Sequence, residues 1–230
     1  MNIAIIPARG GSKRIKNKNI KIFCGKPMIS YSINEAKKTK LFDKIIVSTD
    51  SSKIKKISEK FGAEVPFVRP KNLSDDFTPT ADVMFHAVKW LKEKKLNPKN
   101  ICCIYPTAPL MKSYHLINSY RLFKKRKKDF IFAASKFSYP IQRGFYVNEK
   151  GSIKMVDCKN YKKRSQDLKE VYHDAGQFYW GSFDGWVKKK KMFDAYSSVY
   201  LMPKHRVQDI DNIEDWKFAE TLYKASNDKF

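Results

Sequence analysis

Short apolar runs alternate with amphipathic helical patterns through the first half of this 230-residue chain. The runs predict strands over 3–6, 44–49, 101–105 and 130–135, with helices in the segments between them. A strand that is apolar on both faces has to be covered on both faces, and alternation with helices makes neighbouring strands parallel. The sequence therefore predicts an α/β fold of three layers with one mainly parallel sheet, as a single domain over residues 1–230.

Residues that favour helix starts and ends divide this pattern further. Pro27 suits the first position of a helix, because the N–H that it lacks has no intrahelical partner there. Three further helices are expected. One is capped by Ser51-Ser52 and ends near Gly62, one covers 83–94 after a cap at Thr80 or Asp82, and one is capped by Ser113 and ends near Lys125. The sheet is expected to resume near Phe178 and over 199–202, before a last helix over 213–223.

Residues 136–180 interrupt the alternation of strands and helices. The pieces 145–147 and 153–156 alternate in polarity around a turn at 148–151, which predicts a β-hairpin. A charged segment follows over 159–170. The simplest interpretation of this region is a plain hairpin inserted into the domain.

The segment 2–14 runs from a buried strand straight into a loop with two glycines and three cations. Gly10 and Gly11 allow close approach of a ligand to the backbone, and Arg9, Lys13 and Arg14 supply positive charge. Neither the P-loop pattern nor the G-x-G-x-x-G turn is present. A cationic glycine turn at the carboxyl end of a strand suits a polyphosphate. The alternative is an ordinary surface turn that contains lysine.

Asp209-Ile-Asp211 is the second motif with a chemical implication. In extended chain, residues two apart project to one side, so both carboxylates can face one point while Ile210 faces the core. Two facing carboxylates favour a cation between them, and Mg²⁺ accepts few protein oxygens beside phosphate and water. The alternative is a solvated pair that caps the last helix at Asp211 or Asn212.

The net charge of +24 raises nucleic acid or an anionic membrane as alternative partners. Lysines are spread along the whole chain, and no nucleic-acid-binding motif accompanies them, so we expect no dedicated nucleic-acid surface and no membrane association. No signal peptide or apolar run of about 20 residues is evident. Cys24, Cys102, Cys103 and Cys158 form no C-x-x-C pair. These features predict a cytoplasmic protein without a zinc site or disulfides, in which Cys102 and Cys103 are buried on opposite faces of a strand.

Five ordered stretches resemble the CMP-sugar-acid synthetases, cytidylyltransferases that activate nonulosonic acids such as sialic acid. These stretches are Ile6-Pro-Ala-Arg-Gly-Gly-Ser-Lys-Arg14 with Lys18-Asn19, Ile45-Ile-Val-Ser-Thr-Asp50, Arg69-Pro-Lys-Asn-Leu-Ser-Asp-Asp76, Tyr105-Pro-Thr-Ala-Pro-Leu110 and Asp209-Ile-Asp211. The stretch 172–180 together with Thr78-Pro-Thr80 is most similar to the pseudaminic acid branch. The resemblance implies a Rossmann-like nucleotide-diphospho-sugar transferase fold, a homodimer, and a substrate-contact and dimerisation role for the β-rich excursion 136–180.

The resemblance also implies how CTP is bound. Arg9, Lys13 and the amides of Gly10 and Gly11 would hold its phosphates, and Ala8 and Ser12 of the same loop are also expected to bind CTP. Asn19, Arg69 and Thr80 would recognise the base, although Arg69 could instead form a structural ion pair with Asp75 or Asp76. Lys13 and Lys18 would neutralise the departing pyrophosphate. Mg²⁺ held by Asp209 and Asp211 would support attack of the sugar's anomeric hydroxyl on the α-phosphorus.

The sugar-binding pattern of the sialic acid branch is altered at three positions, now Tyr105, Met111 and His173. These changes favour a less hydroxylated acid, with pseudaminic acid as the preferred acceptor and sialic, legionaminic or Kdo acids as alternatives. Core packing is an equally open role for Tyr105 and Met111, and a structural role is equally open for His173. Arg164 is the candidate for the sugar carboxylate, with Gln166, His173 and Gln177 nearby in sequence. A basic nucleic-acid-binding module and a nucleotide sensor without turnover remain alternatives from other functional classes.

Overall fold

The computed structural model describes residues 1–227 of the chain. It contains six helices in this range: α1 (Met28–Lys38), α2 (Ser52–Lys60), α3 (Thr80–Glu93), α4 (Ser113–Arg126), α5 (Phe183–Val187) and α6 (Ile213–Asn227). The strands are β1 (Asn2–Pro7), β2 (Ile22–Phe23), β3 (Lys26–Pro27), β4 (Lys44–Ser48), β5 (Asn100–Ile104), β6 (Phe130–Lys136), β7 (Phe145–Val147), β8 (Ile153–Met155), β9 (Tyr172–Ser182) and β10 (Ser197–Leu201).

A six-stranded sheet with the order β10-β6-β9-β5-β1-β4 forms the centre of the molecule. Strand β1 is parallel to both β4 and β5, and β10 is parallel to β6. Strand β9 runs antiparallel to both of its neighbours, β5 and β6. The prediction of an α/β fold with a mainly parallel sheet is confirmed.

Both faces of the sheet are buried, as the apolar strands require. Ile3 and Ile5 point to the face that α3 and α5 cover, whereas Ala4 and Ile6 point to the face that α1, α2 and α4 cover. Cys102 and Cys103 divide in the same way, which confirms their predicted burial on opposite faces. All four cysteines are free thiols.

A third, smaller apolar cluster lies at the carboxyl end of the sheet. It joins Ile15 of the glycine loop's continuation to Ile210, together with Phe23, Met28 and Trp216. Residues that are far apart in sequence are thereby buried together. This cluster holds the loop after β1 against the segment that leads into α6.

The helix starts differ from the predictions at two positions. The cap of α2 by Ser51 is confirmed, since its side chain accepts a hydrogen bond from the Ile54 amide. Thr80 and Ser113 are instead the first helical residues, after Pro79 and Lys112 respectively. The Ser113 amide at the start of α4 donates to Glu35 Oε2 at 2.7 Å, so a side chain from α1 provides the capping acceptor.

The excursion leaves the main sheet after β6 and returns at β9. The predicted hairpin is present as the antiparallel pair β7–β8, with Phe145 opposite Met155. The last part of the 136–180 segment, from Tyr172 onward, belongs to β9 in the central sheet. Both hairpin strands are largely exposed within one chain, including Tyr146 and Ile153.

Candidate active site

The glycine loop follows β1 at the carboxyl edge of the parallel strands, where ligands bind in open α/β sheets. The Gly10 amide donates to Asp50 Oδ1 at 2.8 Å, and the buried Ala8 amide donates to the Ser48 carbonyl at 2.9 Å. A Cβ at Gly10 would lie 3.0 Å from Ser51 Cβ, so a side chain there would press on the start of α2. In this conformation the Gly10 amide is already engaged, so the predicted phosphate contact at Gly10 would require its hydrogen bond to Asp50 to be replaced.

A cavity of about 440 Å³ opens beside this loop. Its lining includes eight of the predicted site residues, drawn from four separate stretches of the chain: Arg9, Ser12, Lys13, Lys18, Asn19, Arg69, Thr80 and Tyr105. Gly11 lies on the loop between these cations and has open space where a side chain would be. The fold thus brings the cationic loop and the predicted base-recognition residues to one cavity.

Arg69 is the most deeply buried cation of the cavity, with only 3% of its side chain exposed. Its Nε and Nη2 atoms have no hydrogen-bond partner within residues 1–227. The nearest carboxylate oxygen is Asp50 Oδ1, 3.8 Å from Nη2, so the alternative ion pair with Asp75 or Asp76 is not formed. Burial lowers the pKa of Arg69, against the opposing effect of Asp50. Two buried, unpaired donors facing a cavity are what recognition of a polar base requires.

Asn19 and Thr80 both line the same cavity. Asn19 Nδ2 donates to the Arg9 carbonyl at 2.9 Å, which ties the second part of the loop to the first. The Thr80 hydroxyl lies 3.2 Å from the Tyr105 hydroxyl. Burial raises the pKa of Tyr105, so this hydroxyl stays protonated. Asn19 therefore shapes the loop, whereas Thr80 presents a hydroxyl group to the cavity.

Asp76 contacts two of the three loop cations, Arg9 and Lys13, a feature that the sequence did not reveal. Asp76 Oδ1 lies 2.5 Å from Arg9 Nη1, and Oδ2 lies 2.7 Å from Lys13 Nζ. Arg9 Nη1 also donates to the Asp75 carbonyl at 2.7 Å. Hydrogen bonds from Lys13 and Arg9 lower the pKa of Asp76, so its carboxylate is ionised.

The two aspartates at 209 and 211 lie beside Lys18 and Arg14. Lys18 Nζ donates to the Ile210 carbonyl at 2.6 Å and is 3.8 Å from Asp211 Oδ1, while Arg14 Nη1 is 2.9 Å from Asp211 Oδ2. Burial, and then the neighbouring charge of Asp211, raise the pKa of Asp209. Burial lowers the pKa of Lys18, and the two carboxylates oppose this effect.

The alternative, a cap of α6 at Asp211 or Asn212, is formed by Asn212 together with Asp215. Asn212 Oδ1 accepts hydrogen bonds from the amides of Glu214 and Asp215, and Asp215 Oδ2 accepts from the amides of Asp211 and Asn212. This reciprocal arrangement caps the helix without the side chain of Asp211. Ile210 is fully buried, as the extended pattern predicts.

The donor set at 209–211 fits a magnesium ion that is completed by a substrate. Within the described residues, no group of three or more His, Cys, Asp or Glu side chains could hold a metal by itself. Asp209 and Asp211 provide two carboxylates, and burial and the charge of Asp211 raise the pKa of Asp209. Two carboxylates alone leave the coordination of a metal ion incomplete. Mg²⁺ characteristically binds one or two protein carboxylates together with substrate phosphates and water.

A second cavity of about 450 Å³ adjoins the first at Tyr105, whose side chain lines both. Its other lining residues are His173, Asp174, Ala175, Gly176, Val207, Gln208 and Asp209. Asp174 Oδ2 accepts from the Tyr179 hydroxyl at 2.6 Å, and Oδ1 accepts from the Gly176 amide at 2.9 Å. Asp174 and Gln208 were absent from the predicted site, although Asp174 lies within the stretch 172–180 that carries the resemblance.

Four predicted sugar contacts lie elsewhere. Met111 is fully buried in the core under α1 and α4, so the packing role is the correct one. Gln177 is also buried, and its Nε2 donates to the Arg206 carbonyl. Arg164 is exposed and pairs with Asp167 at 2.8 Å, and Gln166 lines a separate cavity within the excursion. In this chain conformation the predicted contacts by Met111, Arg164, Gln166 and Gln177 are therefore not supported.

Comparison with known proteins gives a consistent assignment. A family model described as cytidylyltransferase matches residues 3–202. A pseudaminic acid cytidylyltransferase of Campylobacter jejuni is 46% identical over 227 residues, which cover 99% of this chain and 98% of that protein. A Helicobacter pylori protein named pseudaminic acid cytidylyltransferase and UDP-2,4-diacetamido-2,4,6-trideoxy-β-L-altropyranose hydrolase is 35% identical over 220 residues, covering 95% of this chain and 42% of that protein.

Among solved structures, a CMP:2-keto-3-deoxy-manno-octonic acid synthetase in complex with CTP shares the fold. The TM-score is 0.71 at 14% identity, and the match covers 98% of this chain and 99% of that chain. At this identity the likeness concerns the fold alone.

No helix within residues 1–227 combines the length and the apolar character that crossing a bilayer demands.

Proposed function

Because this chain belongs to the cytidylyltransferase family, we propose that it transfers CMP from CTP to the anomeric hydroxyl of pseudaminic acid and releases pyrophosphate. One observation carries the proposal: the loop cations and Arg69 share a cavity that adjoins a second cavity at Tyr105. A nucleotide in the first cavity and a sugar in the second would meet beside Asp209. The relative that is 46% identical bears this activity in its name.

The first cavity suits CTP from the base to the phosphates. The Arg69 donors that lack hydrogen-bond partners would bind the acceptor atoms of cytosine, and Thr80 lines the same cavity. Arg9, Lys13 and Lys18 would bind the phosphates, since cations in a partly enclosed site stabilise both the bound polyanion and the leaving group. Because no covalent enzyme intermediate is needed, positioning and electrostatic stabilisation account for most of the catalysis.

In the reaction, the sugar's anomeric oxygen bonds to the α-phosphorus. The bond from that phosphorus to the bridging oxygen of pyrophosphate breaks, and the hydroxyl proton is released. Asp209 lines the sugar cavity and Lys18 lines the nucleotide cavity, so each would approach the reacting atoms from the side of one substrate. Lys18 would neutralise charge that develops on pyrophosphate.

Asp209 and Asp211 would hold Mg²⁺ once CTP supplies the missing oxygen ligands. When bound, the ion would lower the pKa of the attacking hydroxyl and offset charge on the α-phosphate. In the ligand-free chain the positive charges of Lys18 and Arg14 lie beside these carboxylates instead. The exposed Arg14 side chain is free of packing constraints that would prevent it from turning away.

The sugar cavity offers groups suited to an acid with amide substituents. Both oxygens of Asp174 are oriented by Tyr179 and Gly176, so the remaining lone pairs are fixed to accept N–H or O–H donors. Tyr105 adds an aromatic wall between the two substrates, and His173 and Gln208 lie across from it. These groups support pseudaminic acid, with sialic, legionaminic and Kdo acids as the alternative acceptors.

We further propose that the protein is a homodimer, with the excursion at the interface. Within one chain, the strands β7 and β8 expose Phe145, Tyr146, Val147 and Ile153. An isolated two-stranded hairpin is marginally stable, and exposed apolar strands of this kind usually gain a partner.

The decisive assay is release of pyrophosphate from CTP and Mg²⁺ with a panel of nonulosonic acids. We expect turnover with pseudaminic acid. Turnover with sialic acid alone would reassign the acceptor. Asp209→Asn and Asp211→Asn should each lower kcat at least about 100-fold. Asp184→Asn should not, because this exposed carboxylate pairs with Lys188 and lines neither cavity. Intact turnover in both site variants would refute the metal assignment. No pyrophosphate release with any of the acids, together with salt-sensitive polynucleotide binding, would favour a nucleic-acid-binding module.

A further inference from the structure

The carboxylate of Asp76 lies where the proposed function requires phosphate oxygens. Its two oxygens contact Arg9 and Lys13 separately, at 2.5 and 2.7 Å. These are the two loop cations that would bind the phosphates of CTP. A carboxylate and a phosphate use the same kind of charge-assisted hydrogen bond to such donors, so both cannot occupy these donors fully.

The position of Asp76 is built into its loop. Asp75 Oδ1 accepts hydrogen bonds from the amides of Phe77 and Thr78 and from the Thr78 hydroxyl. This Asx-type turn directs the following carboxylate toward the glycine loop. The bond from Arg9 to the Asp75 carbonyl fastens the same turn from the other side. The ion pairs are therefore the product of a defined turn.

The contacts are strong enough to order the cations and weak enough to be replaced. About a third of the Arg9 side chain, a quarter of Asp76 and most of Lys13 are exposed, at 32%, 26% and 83%. Solvent screens ion pairs at such positions, and each is of low stability. A polyphosphate brings several negative charges to the same donors, so it can displace a single carboxylate.

We propose that Asp76 is an internal competitor of pyrophosphate: it holds Arg9 and Lys13 in place while the cavity is empty, and its return to them promotes release of the product. Asp76, which lines the nucleotide cavity, is thus a positioning residue that acts through the two cations. The inference rests on the proposed function for the meaning of product release. The competition itself concerns only the anion site.

The test measures binding of inorganic pyrophosphate and of CMP by calorimetry to wild type, Asp76→Asn and Asp76→Glu. Loss of the competing charge should tighten pyrophosphate binding about fivefold. CMP lacks the β- and γ-phosphates, so its affinity should change less than twofold. Asp76→Glu, which restores the carboxylate, should lie near wild type. Asp82→Asn is the matched control, because it removes a carboxylate that pairs with Lys189, away from the loop cations.

In the assay of turnover, Asp76→Asn should show stronger inhibition by pyrophosphate and a lower KM for CTP, without a matching gain in kcat. Unchanged or weaker pyrophosphate binding in Asp76→Asn would overturn the inference, as would an equal gain for CMP or in the Asp82→Asn control. If Asp76→Asn does not fold, Asp76→Ser provides the same comparison. Pyrophosphate binding that tightens in a protein with no transferase activity would refute the proposed function and leave the competition intact.

Discussion

Replacement of Arg69 by methionine should separate folding stability from nucleotide binding. The guanidinium is almost fully buried, and its Nε and Nη2 atoms lack hydrogen-bond partners within residues 1–227. Its backbone amide, by contrast, donates to the Thr49 carbonyl at 2.9 Å, a bond that any residue except proline would keep. We therefore expect the side chain to reduce the stability of the protein without bound CTP, whereas the backbone hydrogen bond does not depend on it.

The magnitude follows from the unmade bonds. Each buried, unsatisfied donor costs about 1–3 kcal/mol, partly offset here by attraction to Asp50 at 3.8 Å. Methionine would fill the space of the arginine stem without burying a charge. Asp50 would not be stranded, because it keeps the Gly10 hydrogen bond and is 28% exposed. We expect the free energy of unfolding of Arg69→Met to equal that of wild type or to exceed it by up to about 2 kcal/mol.

Binding of CTP should change in the opposite direction. Loss of two charge-assisted hydrogen bonds to the base should cost about 3 kcal/mol, which is roughly a 100-fold weaker affinity. The KM for the sugar acid should change little, because Arg69 lines only the nucleotide cavity of the two. The measurements are urea unfolding without ligand and calorimetric titration with CTP.

Arg206→Met is the matched control for this experiment. Arg206 also has unpaired side-chain nitrogens, Nε and Nη1, but it does not line the nucleotide cavity. Its replacement should leave the affinity for CTP unchanged. A loss of more than about 2 kcal/mol of unfolding free energy in Arg69→Met, or unchanged CTP binding, would refute the reasoning, because the guanidinium would then be a structural group.

Three further predictions concern other parts of the molecule. Burial lowers the pKa of His115 to about 4, whereas its pKa in the unfolded chain is about 6.5. As the pH falls, the unfolded chain therefore binds a proton before the folded protein does. The free energy of unfolding should fall by about 2 kcal/mol from pH 7 to pH 5. His115→Gln should abolish most of that fall in urea titrations, and an unchanged slope would contradict the assignment. Gly181→Ala would place a Cβ 2.4 Å from Trp186 Nε1 and should cost about 2 kcal/mol in thermal unfolding, unlike Gly11→Ala, which meets nothing within 4 Å. Ile153→Asp on the exposed hairpin should yield monomers in sedimentation experiments, and a variant that stays dimeric would exclude this surface as the interface.

The strands were predictable because their burial is encoded locally. Four apolar runs gave β1, β4, β5 and β6 to within about two residues, since a strand covered on both faces needs no partner information to be recognised. The antiparallel direction of β9 has no such local signal. It depends on where the excursion returns the chain, between β5 and β6, and on pairings such as Asn100 with Ser182.

Helix starts show the same division between local and long-range information. Ser51 caps α2 with its own side chain, so a local rule identifies it. The start of α4 uses Glu35, which lies far earlier in the chain. Because Glu35 on α1 provides the cap, Ser113 can be the first helical residue of α4. The spacing of residues in the sequence does not reveal that a cap comes from another helix.

For the candidate site, the sequence identified the cationic residues of the cavity better than the carboxylates that pair with them. Arg9, Lys13, Lys18 and Arg69 all line the nucleotide cavity, because a cationic glycine loop has few other uses at the end of a buried strand. The carboxylates that engage them were not identified from the sequence. Asp76 was considered as a partner of Arg69, but it pairs with the loop cations. Coulombic attraction has no sequence periodicity, so the choice of partner is made by the tertiary fold.

In the excursion the predicted hairpin is present, but the contacts predicted for its exposed side chains are not supported, and the reason is the absence of burial. Arg164 stood out as an arginine among lysines, yet it pairs with Asp167 three residues away on an exposed turn. Ile210 is the instructive contrast. Its side chain is anchored with Ile15 in one apolar cluster, so the polar residues that flank each of them are carried to the same place. A charged residue next to a buried apolar residue has its position fixed by packing, whereas one in an exposed segment takes whichever partner is nearest. Asp209 and Asp211 flank the buried Ile210 and lie beside Lys18 of the nucleotide cavity. Arg164 lies in an exposed segment and pairs with Asp167 instead.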